Sequence, residues 1–224
     1  MEAGMRRFAG RTDAGLALAK ELESYRNRDE VIVLGLPRGG VPVGAVVAER
    51  LNVPLDIFLV RKLGFPGHEE FAIGAIASGG MRVMNQAALE TGRISQEEID
   101  EIAAREKVEL ERREQEYRGD RPRLELEGRI TILVDDGLAT GSTMRAAVAA
   151  LRQQNPAKII VAVPVASAEA CELLSSEADE VFCASIPEPF HAVGLWYEDF
   201  SQTTDEEVKE LLQRAEQLLH EHSH

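Results

Sequence analysis

The stretch Ile130–Thr143 of this 224-residue chain reads ITILVDDGLATGST, and it decides the fold. Its first five residues are apolar or β-branched, as in a strand buried on both faces. Two carboxylates, Asp135 and Asp136, follow, then a short glycine-containing loop and a helix predicted over Ser142–Gln154. Ligands of open α/β sheets bind beyond the carboxyl ends of the strands. The stretch therefore predicts a ligand site at the carboxyl edge of a parallel sheet.

The loop after the two carboxylates has the composition of a phosphate site. Gly141 allows close backbone approach, Thr140, Ser142 and Thr143 offer hydroxyls, and a helix start offers free N–H groups. Two carboxylates beside it can accept hydrogen bonds from vicinal hydroxyls. The phosphate site and the carboxylate pair together predict a site for a ribose 5-phosphate. The alternative, that Asp135 and Asp136 only cap the loop and helix, is disfavoured by the complete pattern.

The rest of the chain alternates strands and helices. Strands are predicted at Val31–Leu36, Leu55–Val60, Phe71–Ala77, Arg82–Met84, Ile130–Val134, Lys158–Val163 and Glu180–Ala184. Helices are predicted at Val43–Leu51, Ser95–Tyr117, Ser142–Gln154, Ala168–Ser175 and Asp205–His220. This order predicts an α/β fold, with a parallel twisted sheet and helices on both faces.

We expect one domain, residues 1–224, with a helical insertion at 86–127 and a C-terminal hood at 185–224. The insertion contains the long charged helix, for which Ser95 and Glu98 predict a capping box. Arg118 and Arg121 lie at its end, where contact with solvent is favoured over contact with the site.

Two further segments carry candidate anion ligands. Pro37, Arg38, Gly39 and Gly40 follow the first strand, where small residues and a bidentate guanidinium suit a pyrophosphate. Arg61 and Lys62 follow the second strand and are expected at the same edge. The alternatives are an ordinary strand-to-helix turn and solvated surface charges.

Composition limits the partners. A net charge of −14 and a pI near 4.9 argue against binding to nucleic acid or to anionic membranes. The two cysteines, Cys171 and Cys183, predict no disulfide framework and fit a reducing, cytoplasmic location. The first ten residues, MEAGMRRFAG, contain no apolar run typical of a signal peptide.

The segment VDDGLATGST resembles the motif of type I phosphoribosyltransferases that binds 5-phosphoribosyl-1-pyrophosphate (PRPP), especially its form in adenine phosphoribosyltransferases. The resemblance implies that Asp135 and Asp136 bind the ribose hydroxyls, and Mg²⁺ directly or through water. It implies that the 5′-phosphate is bound by Ala139, Thr140, Gly141, Ser142 and Thr143. The loop from Pro37 to Gly40 is similar to the pyrophosphate loop of xanthine-guanine phosphoribosyltransferases, and Gly64–Gly67 falls where the family has a mobile flap.

The acceptor site is predicted from Ile186–Phe200, IPEPFHAVGLWYEDF, which partly resembles the base-stacking stretch of 6-oxopurine phosphoribosyltransferases with one residue extra. Phe190 and Trp196 are the candidate base-binding residues, although core packing explains these aromatics equally well. Ala139 replaces the acid that 6-oxopurine enzymes carry. Most of the chain also resembles a bacterial phosphoribosyltransferase-like group with an inserted helix.

The predicted function is Mg²⁺-dependent transfer of a phosphoribosyl group from PRPP to a nitrogenous base, purine rather than pyrimidine, by a homodimer. The alternatives are a non-catalytic PRPP or nucleotide sensor on the same fold, and a ribosyl-phosphate hydrolase or phosphorylase. Retention of Arg38, Arg61 and Lys62 favours the transferase over the sensor. No water-positioning base for the hydrolase is evident in the sequence.

Overall fold

The computed structural model describes residues 7–91 and 94–222, without the side chains of residues 69–71, 87, 88, 91, 220 and 222. The strands are β1 (Val31–Gly35), β2 (Leu55–Ile57), β3 (Val60–Phe65), β4 (His68–Ala77), β5 (Met81–Met84), β6 (Ile130–Val134), β7 (Lys158–Val165) and β8 (Glu180–Ser185). The helices are α1 (Arg11–Glu21), α2 (Gly40–Leu51), α3 (Gln86–Thr91), α4 (Gln96–Arg118), α5 (Ser142–Arg152), α6 (Ala168–Ser175) and α7 (Asp205–His222). The expectation of no signal peptide falls partly on residues 1–6, outside the described residues.

Five strands form the predicted parallel sheet, in the order β2-β1-β6-β7-β8. Side chains alternate between its faces, so Val31 and Val33 enter one core while Ile32 and Leu34 enter the other. Both cores are apolar, which explains why the strands read as continuous hydrophobic runs. The predicted α/β class, with helices on both faces, is confirmed.

The helices divide between the two faces of the sheet. Buried side chains of α2, α4 and α7 share one core, and those of α5 and α6 share the other. The capping box predicted for the long helix is present, because Ser95 Oγ accepts from Glu98 N at 3.2 Å and Glu98 Oε2 accepts from Ser95 N at 2.9 Å. Among the described helices none is long and apolar enough to cross a membrane.

The second predicted strand, Leu55–Val60, is wrong as a single element. It ends in the parallel sheet at Ile57, and β3 begins at Val60 in a separate antiparallel sheet of order β3-β4-β5. Leu59 marks the change, since its N–H donates to Ser78 Oγ at 2.9 Å and its carbonyl accepts from Ser78 N at 2.9 Å. The apolar run continues through both sheets, so hydropathy cannot locate the break. The small sheet packs between α4 and α5.

Arg118, the last residue of α4, does not point into solvent as expected. It is 8% exposed and donates to both carboxylate oxygens of Asp56 in β2, at 2.9 and 3.2 Å, and to Ile57 O at 2.9 Å. Glu114, also buried, lies 3.3 Å from Arg118 Nη1 and pairs with Arg123. This buried ion network fastens the inserted helix to the edge of the parallel sheet.

The expectation that Cys171 and Cys183 stay unpaired is also wrong in this structure, where they form a disulfide. Cys171 lies on α6 and Cys183 on β8, and α6 packs directly against β8. The sequence separation of twelve residues gives no sign of this, because the contact depends on the angle at which the helix crosses the strand.

Candidate active site

The loops after β1 and β6 meet at the carboxyl edge of the sheet. Gly35 and Val134 are paired in register, and Leu36 N donates to Val134 O at 2.9 Å. The glycines of the first loop therefore lie against the two carboxylates. A Cβ on Gly39 would stand 2.0 Å from Asp136 Oδ2, and one on Gly40 would stand 2.4 Å from Val134 O. Both glycines are required for this close approach.

Substitution of Gly40 by alanine tests that approach. We expect it to lower the free energy of unfolding by about 1–3 kcal/mol, because the new methyl group meets backbone that cannot move aside. Gly44→Ala, one turn later in α2, is the matched control. Its Cβ would meet its nearest neighbour at 3.4 Å, so the change should be neutral or stabilising. Urea denaturation of both variants measures the difference, and equal midpoints would contradict the packing described.

Asp135 and Asp136 each have one carboxylate oxygen bound within the protein. Asp135 Oδ1 accepts from Asp136 N at 2.9 Å. Asp136 Oδ2 accepts from Arg11 Nε at 2.9 Å and Arg11 Nη2 at 2.7 Å. Asp135 Oδ2 and Asp136 Oδ1 take no part in these bonds and are the oxygens left for a ligand. Two neighbouring free acceptors suit two vicinal hydroxyl groups.

The two carboxyl groups differ in their electrostatic surroundings. Burial, and secondly the charge of Asp136, raises the pKa of Asp135 to about 8. Burial also raises the pKa of Asp136, but the hydrogen bonds and charge of Arg11 oppose that rise. A ligand that brings positive charge or hydroxyl donors to this pair would stabilise its ionised form.

Arg11 is a site residue that the sequence did not reveal. It begins α1, a helix that was not predicted, and its Nη1 donates to Ser201 O at 2.7 Å while its guanidinium lies 4.3 Å from the ring centre of Phe200. Tyr197 adds a second link, since its hydroxyl donates to Asp136 O at 2.6 Å. The residues that hold Asp136 thus come from both ends of the chain.

The predicted 5′-phosphate loop is an open cradle at the start of α5. Gly141 has φ +70° and precedes the helix, while Ala139, Thr140, Ser142 and Thr143 are exposed. Ser167 Oγ donates to Ala139 O at 2.8 Å, and Leu138 forms a β-bridge to Ala166. The loop is therefore fixed from below, and the start of α5 offers backbone N–H groups that can bind an anion.

The three cations assigned to the pyrophosphate do not lie together in the structure. Arg38 stays in the loop after β1, where the Pro37–Arg38 peptide bond is cis. Arg61 and Lys62 do not both reach the carboxyl edge, because consecutive residues of a strand leave on opposite faces. Arg61 Nε donates to Glu106 of α4 at 2.7 Å, whereas Lys62 lines a cavity of ≈ 810 Å³ together with Ser142 of the phosphate loop.

The two candidate base-binding residues are partly buried. Phe190 and Trp196 pack with Val165 and Tyr197 in a small aromatic cluster beside the site. Trp196 Nε1 is buried and has no hydrogen-bond partner among the described residues, so it keeps one free donor. Phe200 is the more exposed ring, at 37%, and it lies on Arg11. The hood thus brings an exposed aromatic face to the predicted ribose site.

The residues present fit Mg²⁺ in its usual mode in phosphate-transfer sites. The ion takes hard oxygen ligands and keeps several waters, with one or two carboxylates and substrate oxygens completing the shell. Asp135 and Asp136 supply the two free oxygens described above. Among the described residues no group of three or more His, Cys, Asp or Glu side chains forms a metal site without substrate.

Comparisons with known proteins agree with this geometry. A family model described as phosphoribosyl transferase domain matches residues 11–199. A crystal structure of TT1426 from Thermus thermophilus superposes with a TM-score of 0.83 at 45% identity, over 93% of this chain and 98% of that one. Two Mycobacterium tuberculosis proteins, both named "putative phosphoribosyl transferase", are 42% identical over 211 residues, 94% of this chain.

The chain belongs to the phosphoribosyltransferase family, and its fold is the type I form. It spans about half the length, 47%, of the two mycobacterial relatives.

Proposed function

We propose that this protein transfers the 5-phosphoribosyl group of PRPP to a nitrogenous base, a purine rather than a pyrimidine, and releases pyrophosphate. The observation that carries the proposal is the meeting of three ligand sites at one sheet edge. These are the free oxygens of Asp135 and Asp136, the cradle before α5, and the loop that contains Arg38. They match the diol, the 5′-phosphate and the pyrophosphate of one PRPP molecule.

In the proposed reaction the bond from ribose C1 to the pyrophosphate oxygen breaks, a bond from C1 to the acceptor nitrogen forms, and the proton of that nitrogen passes to the released pyrophosphate or to solvent. Positive charge develops on the ribosyl ring, and the electron pair leaves with the pyrophosphate. Asp135 and Asp136 orient the ring through its hydroxyls, and Arg38 stabilises the departing charge. Mg²⁺, held at the same two carboxylates, would act as a Lewis acid on the pyrophosphate.

The purine preference is supported by the two loops, which resemble those of two purine-specific subgroups. The identity of the base is open to experiment, because Ala139 stands where 6-oxopurine enzymes carry an acid. The exposed ring of Phe200 is the aromatic surface available to a planar acceptor. Cytoplasmic location and a homodimer stay predictions from the sequence.

Pyrophosphate release is the direct test. The protein would be mixed with PRPP, Mg²⁺ and separate pools of purine and pyrimidine bases, with the Asp135→Asn/Asp136→Asn variant as the control. Release that requires one base, and is absent with the variant, supports the transferase and identifies the acceptor. PRPP binding without release from any pool would instead support the sensor, and release without any base would indicate the hydrolase.

Arg11→Lys tests the contribution of α1 to PRPP binding. Lysine keeps the charge but cannot donate to both Asp136 and Ser201 while lying on Phe200. We expect the KM for PRPP to rise about tenfold, the effect of losing a charge-assisted hydrogen bond. Lys20→Gln, on an exposed position of the same helix, is the control and should leave KM unchanged. An unchanged KM in the Arg11 variant would assign Arg11 to structure alone.

A further inference from the structure

Arg38 of the pyrophosphate loop faces a carboxylate to which the proposed reaction assigns no role. Asp205, the first residue of α7, places Oδ1 3.7 Å from Arg38 Nη1. The same oxygen accepts a hydrogen bond of 2.6 Å from the hydroxyl of Tyr117. Tyr117 lies near the end of the inserted helix α4, so three distant segments of the chain meet at one carboxylate.

The carboxylate of Asp205 is held firmly. Tyr117 is 3% exposed, and burial together with Asp205 raises the pKa of its hydroxyl, which therefore stays protonated and donates. On the other side, the start of α7 is fixed by a capping box. Glu207 N donates to Thr204 Oγ1 at 3.1 Å, and Thr204 N donates to Glu207 Oε2 at 2.6 Å.

Asp205 restrains the guanidinium of Arg38 but does not occupy its hydrogen-bond donors. At 3.7 Å the pair attracts electrostatically but forms no hydrogen bond, and both side chains are about one-third exposed, 35% and 38%. The guanidinium keeps its N–H donors for another anion. A weak, oriented restraint lowers the entropy that a flexible arginine loses when it binds a ligand.

We propose that Asp205 is a positioning residue that aims Arg38 at the pyrophosphate group of PRPP, with Tyr117 fixing Asp205. This inference rests on the proposed function. It gives the inserted helix a role at the site: α4 is fastened to β2 through Arg118 and carries the hydroxyl that orders the carboxylate.

Two other roles for Asp205 make different predictions. If Asp205 competed with pyrophosphate for Arg38, its removal would strengthen PRPP binding. If it served only the stability of α7, its removal would affect all ligands of the site equally. Positioning of Arg38 predicts a loss specific to ligands that carry pyrophosphate.

Calorimetric titration with Mg²⁺–PRPP and with ribose 5-phosphate separates these roles. We expect Asp205→Asn to raise the Kd for PRPP about threefold to tenfold and to leave the Kd for ribose 5-phosphate unchanged. Glu206→Gln is the matched control, since it removes the same charge from the same helix turn but contacts only Lys209 among the described residues. Tyr117→Phe, which deletes only the hydroxyl, should weaken PRPP binding in the same selective manner.

The Arg38→Gln background completes the test. There, Asp205→Asn should have no additional effect on PRPP binding, because the residue through which it acts is gone. Equal Kd values for the Asp205 and Glu206 variants, tighter PRPP binding, or a persistent effect without Arg38 would overturn the inference alone. Failure of the unsubstituted protein to bind PRPP would overturn the proposed function as well.

Discussion

Replacing Arg118 by methionine is expected to lower the free energy of unfolding by about 3–5 kcal/mol, because it leaves the carboxylates of Asp56 and Glu114 buried without their shared cation. Methionine fills most of the arginine's volume, so the loss measures charge rather than a cavity. Thermal or urea unfolding gives the value directly. Few single substitutions in this chain should cost more stability.

Arg112→Met on the same helix is the matched control. Arg112 pairs with Glu109 and Glu116 at distances as short as those of Arg118, yet its side chain is 58% exposed. Ion pairs between exposed side chains contribute little to stability, so this variant should unfold almost like the unsubstituted protein. Similar losses in both variants would refute the view that burial decides the effect. Adding Asp56→Leu to Arg118→Met should restore part of the stability, since it removes one orphaned charge.

The parallel sheet and its loops were predictable because their signals are local. A strand buried on both faces must be apolar throughout, and the turn after it must contain the residues that contact the ligand. Both features fall within a short continuous stretch in Ile130–Thr143 and again in Val31–Gly40. The helix from Ala168 to Ser175 was also predicted to the residue, and in the structure Ser167 Oγ caps it by accepting from Ala170 N at 3.1 Å.

The contacts that complete the site were not predictable because they join distant segments. Arg11 and Asp136 are 125 positions apart, and nothing in the sequence around Arg11 differs from an ordinary helix start. The small residues of α1, RTDAGLALAKE, also give a weak helical pattern. For Arg118 the sequence predicted contact with solvent, because a charged residue at a helix end is normally exposed. In the structure Arg118 is buried, because it binds Asp56 of a distant strand.

The antiparallel sheet β3-β4-β5 shows which features of strands the sequence does not predict. Strands β4 and β5 were recognised, but β3 was not, because the second predicted strand ends where β3 begins. The change of sheet depends on Ser78, which binds Leu59 across it. That change turns Arg61 toward Glu106 and Lys62 toward the cavity beside the phosphate loop. The places of Arg61 and Lys62 could therefore not be predicted from a family motif, because the motif does not show where the chain changes sheet.

Substitution of both Asp135 and Asp136 by asparagine is expected to reduce kcat/KM for PRPP about a thousandfold. Each amide removes a charged acceptor for a ribose hydroxyl, and charge-assisted hydrogen bonds contribute about 1.5–3 kcal/mol each. Pyrophosphate release at saturating acceptor measures the loss. The Glu125→Gln/Glu127→Gln variant removes the same two charges at exposed positions just before β6 and should keep full activity.

The single variant Asp135→Asn, which leaves the ion pair of Arg11 and Asp136 intact, should be at least as stable as the unsubstituted protein without ligands. Asp135 has a pKa of about 8 in the folded chain, raised by burial and by Asp136. An aspartate in the unfolded chain has its ordinary pKa of about 4. The folded state therefore binds more protons between these values, and the contribution of Asp135 to stability is lost as pH rises through 8. Asparagine does not titrate, so the advantage of the variant should grow from about pH 5 to about pH 8. An inactive variant that is also less stable near the upper end of this range would mean that the carboxylate serves the fold. An inactive variant that has gained stability would mean that the carboxylate is kept for binding and destabilises the fold.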